Sequence, residues 1–306
     1  MASLRSCLLR FMIKHIVGPK FRRAGSSISE LRKLDEFIVK NQKIPTGTEI
    51  RPVSAEGIAA EWVRAPAAQK ERAILYLHGG AFVMCSPATH RELAAQLSAS
   101  TNAAVLVLDY RLAPEHSFPA AMQDAVSAYR WLLDTGYAEG NLVIGGDSAG
   151  GGLALQTLIA LRDEESPLPA AAFFLSPVTD WVRFDGESYS TRANVDPLNT
   201  AEMCRLTASH YVGGNDPQTP LLSPANIDLS GLPPLCIHVG DHEVLLSDSV
   251  RFAERARACD VDVEFKIWPG MWHAFQTSAR FVPEARRSIE EVGRFIVNRI
   301  DSRAAQ

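Results

Sequence analysis

Residues 142–150 read LVIGGDSAG, and this stretch decides the fold. A short apolar run ends in the pattern Gly-x-Ser-x-Gly, and a helix-like segment begins near Gly150. A strand, a sharp turn and a helix in this order are what a nucleophile elbow requires. Glycines at the outer positions of the turn avoid collisions with the adjoining strand and helix. The bare pattern also occurs by chance, but in this context it predicts that Ser148 is a nucleophile at a helix N-terminus.

Apolar runs alternate with helix-like segments on both sides of this turn. The pattern predicts an α/β fold with a mostly parallel central sheet and helices on both faces. The predicted strands are residues 73–77, 104–109, 142–145, 171–175, 235–239 and 263–268, preceded by a hairpin of 49–53 and 58–63. The predicted helices are residues 90–100, 119–135, 150–164, 247–259 and 283–299.

Two long regions, residues 1–45 and 183–222, do not follow the alternation. Long insertions in α/β enzymes are commonly lids or binding segments, so we interpret both as parts of a helical cap. The predicted division is 1–45 as the N-terminal part of the cap, 46–182 as the first part of the core, 183–222 as the cap insertion and 223–306 as the second part of the core.

Composition argues against several classes of partner and cofactor. The chain of 306 residues has a formal net charge of −4, so it has no basic surplus that would favour nucleic acid. Its five cysteines are scattered without a C-x-x-C pair, which favours a reducing, cytoplasmic location. His238 and His242 are four residues apart but straddle a strand end and a loop, so we predict no metal site and no cofactor.

The N-terminus carries apolar residues at positions 8, 9, 12, 13, 16 and 17, interrupted by Arg10 and Lys14. This spacing indicates an amphipathic helix rather than the continuous apolar core of a signal peptide. Such a helix could lie on a membrane surface or pack on the rest of the protein. We expect packing. No apolar run approaches the length that a membrane span needs.

Residues 78–82 read HGGAF and follow the predicted strand 73–77. Acyl transfer passes through an oxyanion, and residues with little or no side chain let backbone N–H groups approach it closely. We therefore assign oxyanion donors to Gly79, Gly80 and Ala149. His78 precedes the nucleophile in the chain, so it is interpreted as a structural residue that orients this loop.

The general base and its acid are expected in loops after the last two strands. His273 lies between the last predicted strand and the last helix, where a triad histidine reaches the nucleophile. The loop after residues 235–239 offers three carboxylates, Asp241, Glu243 and Asp248. Spacing alone does not choose among them.

Three blocks together resemble the hormone-sensitive-lipase family of α/β-hydrolases, whose bacterial branch is called family IV: HGGAF at 78–82, DYRLAPE at 109–115 and GDSAGG at 146–151. The resemblance runs from about residue 50 to the end. It implies a serine carboxylesterase acting on small-molecule esters with short to medium acyl chains, without a cofactor. The family usually has a third glycine where this chain has Ala81.

The resemblance also implies further residue roles. The family's acid stands two residues before a leucine, a register that falls on Glu243, with Asp241 second and Asp248 anchoring the next helix. Independently of the resemblance, Asp109, Arg111 and Glu115 are charges at the end of a buried strand that would be costly unpaired, so we expect them to be paired and to support the site. The last strands are expected at a sheet edge, with a possible homodimer there. The predicted acyl-pocket residues are Phe82, Met84, Trp181, Met203 and Leu206.

Two other functions stay open on the sequence. The same machinery would serve an amide or xenobiotic deacetylase. A non-catalytic small-molecule receptor is the third hypothesis, since plant gibberellin receptors resemble this family but have lost the triad histidine. The presence of Ser148, His273 and an acid favours an enzyme.

Overall fold

A computed structural model describes residues 2–25 and 27–304, and its centre is an eight-stranded sheet. The strand order is β1-β2-β4-β3-β5-β6-β7-β8, with β1, β2 and β4 in antiparallel pairing and all other neighbours parallel. The strands are β1 Glu49–Ala55, β2 Ile58–Arg64, β3 Gln69–Leu77, β4 Ala103–Leu108, β5 Leu142–Asp147, β6 Ala171–Leu175, β7 Leu235–Gly240 and β8 Val263–Trp268. The predicted fold class is confirmed.

The middle of the sheet is covered by helices on both faces. Every residue of β4, β5, β6 and β7 is buried, which explains why these strands read as continuous apolar runs rather than alternating ones. In the parallel register Leu77 pairs with Gly146, and Asp147 pairs with Leu175. The carboxyl ends of β3, β5 and β6 therefore meet at one edge of the sheet.

The helices are close to the predicted ones but differ at their ends. They are α1 Leu4–Met12, α2 Gly18–Ala24, α3 Ile28–Asn41, α4 Pro87–Thr101, α5 Ala120–Asp134, α6 Ala149–Asp163, α7 Ser188–Thr191, α8 Ala201–Val212, α9 Leu246–Ala258 and α10 Pro283–Ala304. Helix α4 begins three residues earlier than predicted because Ser86 and Thr89 form a capping box. No described helix is both long and apolar enough to cross a bilayer.

The N-terminal stripe is split, which corrects the expectation that all of it packs on the protein. Leu9 and Ile13 pack against the core cluster of α10 and its neighbours. Leu8 and Ile16 are exposed. A π-helical turn at Ile13–Val17 separates α1 from α2. Polar contacts also hold the N-terminal segment, because Glu284 accepts hydrogen bonds from Ser6 and Ser3.

The N-terminal helices contact the long connection between β6 and β7, which contains α7 and α8. Lys14 donates to the Asn194 carbonyl, and Arg22 donates to the Pro197 carbonyl at 3.1 Å. These are the two regions that we interpret as the cap, although the division into core and cap stays a prediction. Strand β8 lies at the sheet edge, and the homodimer there stays a prediction as well.

Two of the three charged residues considered in segment 109–115 pair with residues outside it. The Arg111 guanidinium holds Asp124 on α5 at 2.7 Å, and Glu115 accepts from Arg32 on α3 at 2.7 Å. Asp109 has no ion pair among the described residues and is exposed, so the expectation of pairing is wrong for it. Partial burial of the Asp109 carboxyl, together with the nearby charge of Glu61, raises its pKa.

Removing the Asp124 carboxylate should destabilise the protein. It accepts both from the Arg111 guanidinium and from the Arg111 backbone N–H, and it is buried. Asp124→Ala leaves these donors unpaired, so the free energy of unfolding should fall by about 2 kcal/mol in urea titrations. The matched control is Asp163→Ala, which removes the exposed partner of Arg162 and should cost less than about 0.5 kcal/mol. Equal losses in the two variants would contradict the assignment.

Candidate active site

Ser148 stands at the turn between β5 and α6. Its backbone is in the left-handed region, with φ 54° and ψ −124°, a strained conformation for a residue with a side chain. The turn is held in place because the Ser148 N–H donates to the Leu175 carbonyl and the Val178 N–H donates to the Ser148 carbonyl. A Cβ on Gly150 would lie 2.0 Å from the Leu77 carbonyl oxygen, so only glycine fits there. The predicted elbow is the local structure of this segment.

The structure brings Ser148, His273 and Glu243 into one hydrogen-bonded chain. The His273 Nε2 lies 2.8 Å from the Ser148 Oγ, and the His273 Nδ1 lies 2.9 Å from the Glu243 Oε2. Glu243 is fully buried, and the His273 side chain is largely buried. A serine hydroxyl, an imidazole and a carboxylate in this order form the arrangement that activates a serine for attack.

The other two carboxylates of the post-strand loop lie elsewhere. Asp241 accepts from the Gly270 N–H and contacts His242, so it holds the loop that leads to His273. Asp248 lies in the first turn of α9 and accepts from the Tyr189 hydroxyl at 3.2 Å. Geometry therefore favours Glu243 as the partner of His273.

Sequence reasoning missed Ser176, which follows β6 directly. Its hydroxyl donates to the Glu243 Oε1 at 2.8 Å and accepts from the Ala274 N–H at 3.1 Å. The Gly240 N–H donates to the same Glu243 oxygen. One oxygen of Glu243 is thus fixed by the scaffold, and the other is left for His273. The position of Ser176 at the carboxyl end of a buried strand was the signal available in the sequence.

A second missed residue is Asp196, in the connection between β6 and β7. It is buried, and its carboxylate accepts from the N–H groups of Val244, Leu198 and Asn199. Burial raises the pKa of this carboxyl despite these hydrogen bonds. Because Val244 follows Glu243, Asp196 ties the predicted cap insertion to the loop that carries the acid.

The oxyanion assignment requires one correction. The Gly79 N–H already donates to the Asp147 carboxylate at 3.0 Å, so it is not available to a substrate. Gly80, Ala81 and Ala149 line the cavity beside Ser148. Among the described residues, no hydrogen bond from their N–H groups is found. The left-handed backbone of Gly80 and Ala81, with φ 114° and 54°, turns the chain there. The geometry therefore favours Gly80 and Ala81 as the donors of this loop, in place of Gly79 and Gly80.

Asp147 is the buried charge beside the nucleophile. Besides the Gly79 N–H, its carboxylate accepts from the Tyr76 hydroxyl at 2.6 Å and lies 3.4 Å from the His90 Nε2. Burial alone would raise the pKa of Asp147, but the charge and hydrogen bond of His90, with the Tyr76 hydrogen bond, outweigh it and hold the pKa at about 2. The carboxylate therefore stays ionised and joins the oxyanion loop to the elbow.

The histidines near the site differ in protonation. Burial lowers the pKa of His78 to about 3, and its Nδ1 contacts the Gly79 carbonyl while its ring stacks on Tyr110. His78 is therefore neutral, and its structural role stays a prediction that these contacts support. For His273, burial again opposes the charged form, but the hydrogen bond and charge of Glu243 outweigh it, so the pKa of His273 is raised.

A cavity of about 420 Å³ opens beside Ser148 and His273. Three of the predicted acyl-pocket residues line it: Met84, Trp181 and Met203. Phe82 does not, because its ring is buried and stacks on Tyr211 with centroids 3.6 Å apart. Leu206 does not either, because it lies on the outer side of α8 and is 41% exposed. These two assignments are corrected.

The two histidines with metal-like spacing do not share a site. His238 is buried with its Nδ1 2.8 Å from the Ser288 hydroxyl, and burial lowers its pKa to about 3. His242 contacts Asp241 instead. Across residues 2–25 and 27–304, no cluster of three or more metal-ligating side chains is found.

Known proteins with this fold are similar to the chain over most of its length. A family model described as the alpha/beta hydrolase fold matches residues 74–277. An acetyl-hydrolase of Streptomyces hygroscopicus is 48% identical over 78% of this chain and 79% of that protein, and an esterase of Acinetobacter venetianus is 36% identical over 86% of each. The crystal structure of an esterase from the bacterial hormone-sensitive lipase family is 39% identical, with a TM-score of 0.87 over 92% of this chain and 98% of that one.

A side chain at residue 80 should displace the loop amides. A Cβ on Gly80 would lie 2.2 Å from the Met84 carbonyl oxygen, and the φ of 114° disfavours any side chain. Gly80→Ala should therefore lower kcat for p-nitrophenyl butyrate by about a hundredfold, because oxyanion donors act in the transition state, with little change in KM. The control is Gly57→Ala, at φ 84° in the β1–β2 turn with open space around it, which should keep full turnover. A fully active Gly80 variant would refute the role of this loop.

Proposed function

The chain belongs to the hormone-sensitive-lipase (family IV) esterases of the alpha/beta hydrolase fold, carboxylic ester hydrolases, and we propose that it hydrolyses short- to medium-chain acyl esters through an acyl-enzyme on Ser148. The observation that carries the mechanism is the hydrogen-bonded chain from the Ser148 Oγ through His273 to Glu243. No step in this reaction requires a metal ion or an organic cofactor.

In the first half of the proposed reaction, the Ser148 Oγ attacks the ester carbonyl carbon while His273 Nε2 takes its proton. Glu243 holds the imidazole in the tautomer with hydrogen on Nδ1 and stabilises the imidazolium that forms. The imidazolium then gives the proton to the leaving alcohol oxygen as the ester C–O bond breaks. The raised pKa of His273 supports this role, because the protonated intermediate is stabilised.

We assign the stabilisation of the negative charge that develops on the carbonyl oxygen to the N–H groups of Gly80, Ala81 and Ala149. All three residues line the cavity at Ser148. Ala149 is also the first residue of α6, so the helix dipole adds to its N–H group. In the second half, His273 takes a proton from a water whose oxygen attacks the acyl carbonyl carbon. The imidazolium then gives this proton to the Ser148 Oγ as the acyl C–O bond breaks and the carboxylic acid departs.

The size and lining of the cavity support a short to medium acyl chain. Its volume of about 420 Å³ lies at the small end of ligand sites, and Met84, Trp181 and Met203 give it an apolar wall. Similarity to an acetyl-hydrolase favours the short end of this range. No observation favours the amide-deacetylase alternative, and the receptor alternative is disfavoured because His273 is in place beside Ser148.

Loss of the nucleophile should abolish ester hydrolysis. Ser148→Ala removes the attacking oxygen, so kcat for p-nitrophenyl butyrate should fall by roughly 10⁵-fold or more. Ser190→Ala is the control, since that exposed hydroxyl donates only to the Glu187 carbonyl, and it should keep wild-type kcat. Trapping of an acyl group by mass spectrometry on the wild-type protein, and not on the Ser148 variant, would identify the acyl-enzyme. Substantial turnover by Ser148→Ala would disprove the mechanism.

The identity of the acid should be visible both in rate and in pH dependence. Glu243→Gln should lower kcat by about a thousandfold or more, whereas Asp241→Asn keeps an acceptor for the Gly270 N–H and should lose less than about tenfold. Only neutral His273 acts as base, and its pKa is raised, so wild-type kcat/KM should decline with falling pH at a midpoint above the ordinary imidazole value of 6.5.

The same pH profile also tests whether Glu243, rather than Asp241, is the carboxylate that acts on His273. Without its charge the pKa of His273 should drop, so the acid-side midpoint of the residual Glu243→Gln activity should move to lower pH. The Asp241→Asn midpoint should stay with the wild type. If Asp241→Asn is the more damaging change, or if its midpoint moves and that of Glu243→Gln does not, the acid is misassigned.

A further inference from the structure

Helix α1 has two apolar sides, and only one of them is covered. Leu9 and Ile13 pack on the core. The other side carries Leu4, Leu8, Phe11, Met12 and Ile16, which we call the N-terminal apolar face. Leu4 is 90% exposed, Leu8 63% and Phe11 61%. Large apolar side chains that are contiguous and exposed mark a surface that another phase or molecule covers.

The charge around this face is one-sided. The chain as a whole has 31 Lys and Arg against 35 Asp and Glu, yet its first 29 residues include six basic residues and no acidic one. Arg10, Lys14 and Arg22 donate to the backbone carbonyls of Gly270, Asn194 and Pro197, so these hydrogen bonds leave their charges without carboxylate partners. An apolar helix side flanked by basic residues matches the boundary between acyl chains and acidic headgroups.

The N-terminal apolar face belongs to a helix that contacts the site region. Arg10 donates to the Gly270 carbonyl, and Gly270 lies three residues before His273. Phe281, which is 53% exposed, and Phe21 of α2 both line the cavity. An external surface that binds α1 would therefore lie close to the segments that form the cavity.

We propose that the N-terminal apolar face docks the protein peripherally on an anionic lipid surface, with exposed Arg5 and Lys20 near the headgroups. The apolar side chains enter the boundary region, and the basic residues give preference for acidic lipids. Docking places the esterase where sparingly soluble esters accumulate. The binding itself does not depend on the hydrolysis proposed above. A second copy of the chain is the competing occupant, but the basic residues that flank the face would then lie close to those of the other copy and repel them.

The test is co-sedimentation of the full chain with phosphatidylcholine vesicles, with and without phosphatidylserine. The wild type should sediment with the vesicles that contain phosphatidylserine, and added salt should weaken the binding. Leu8→Ser/Phe11→Ser should bind at least about tenfold more weakly, because two inserted apolar groups are lost. Arg5→Gln/Lys20→Gln should lose much of the preference for phosphatidylserine.

The matched control is Phe37→Ser, which removes an equally exposed phenylalanine from α3, outside the face, and should bind like the wild type. Hydrolysis of a water-soluble ester should be unchanged in Leu8→Ser/Phe11→Ser, which shows that the variant is folded. Absence of wild-type sedimentation, or equal sedimentation of this variant, overturns the proposal. A wild-type dimer that the variant converts to a monomer, without vesicle binding, assigns the face to a second copy and also overturns it.

Discussion

The active site depends on a close approach of two backbones, the nucleophile turn and the end of β3. A Cβ at Gly146 or Gly150 would lie 2.2 or 2.0 Å from the Leu77 carbonyl oxygen. Such a distance is impossible for a side chain, so glycine at both positions lets the turn touch the strand. Because the oxyanion loop begins directly after Leu77, the same contact brings the loop amides beside Ser148. One steric constraint thus positions both the hydroxyl that we propose as the attacking group and the N–H groups that we propose as oxyanion donors.

Around this contact, the protein separates charged from neutral groups by their surroundings. Asp147 stays ionised because the charge of His90 and the hydrogen bonds of His90 and Tyr76 lower its pKa, while burial keeps His78 neutral. His273 is the histidine of the site with a raised pKa, because it faces Glu243. Similar residue types therefore have different roles, decided by burial and partners rather than by identity.

Much of the fold could be predicted from the sequence because fully buried parallel strands produce continuous apolar runs. The elbow was visible because its sterics demand glycine at fixed positions. The choice of Glu243 over Asp241 depended on family resemblance, since three carboxylates within one loop have no distinguishing pattern. Ser176 and Asp196 were missed because their partners are remote in the chain, and a lone serine or aspartate has no spacing signal.

The errors have a common physical cause. Phe82 was predicted in the acyl pocket as an apolar residue near the site, but its ring stacks on Tyr211 instead. Gly79 was assigned as an oxyanion donor because it lacks a side chain, but its N–H donates to the Asp147 carboxylate. The periodicity of the N-terminal segment predicted a helix, yet not which apolar side would be covered. Sequence patterns report the capacity of a residue to interact and leave its partner undetermined.

The contacts between the N-terminal helices and the connection after β6 use backbone carbonyl acceptors, those of Asn194 and Pro197. Every amino acid offers such an acceptor, so these anchor points place no demand on the identity of the residues that bear them. The connection can therefore accumulate substitutions while its path over the cavity is retained. A laboratory library confined to residues 190–198 could therefore vary this connection, and at Leu198 the wall of the cavity, provided that Asp196 is left unchanged.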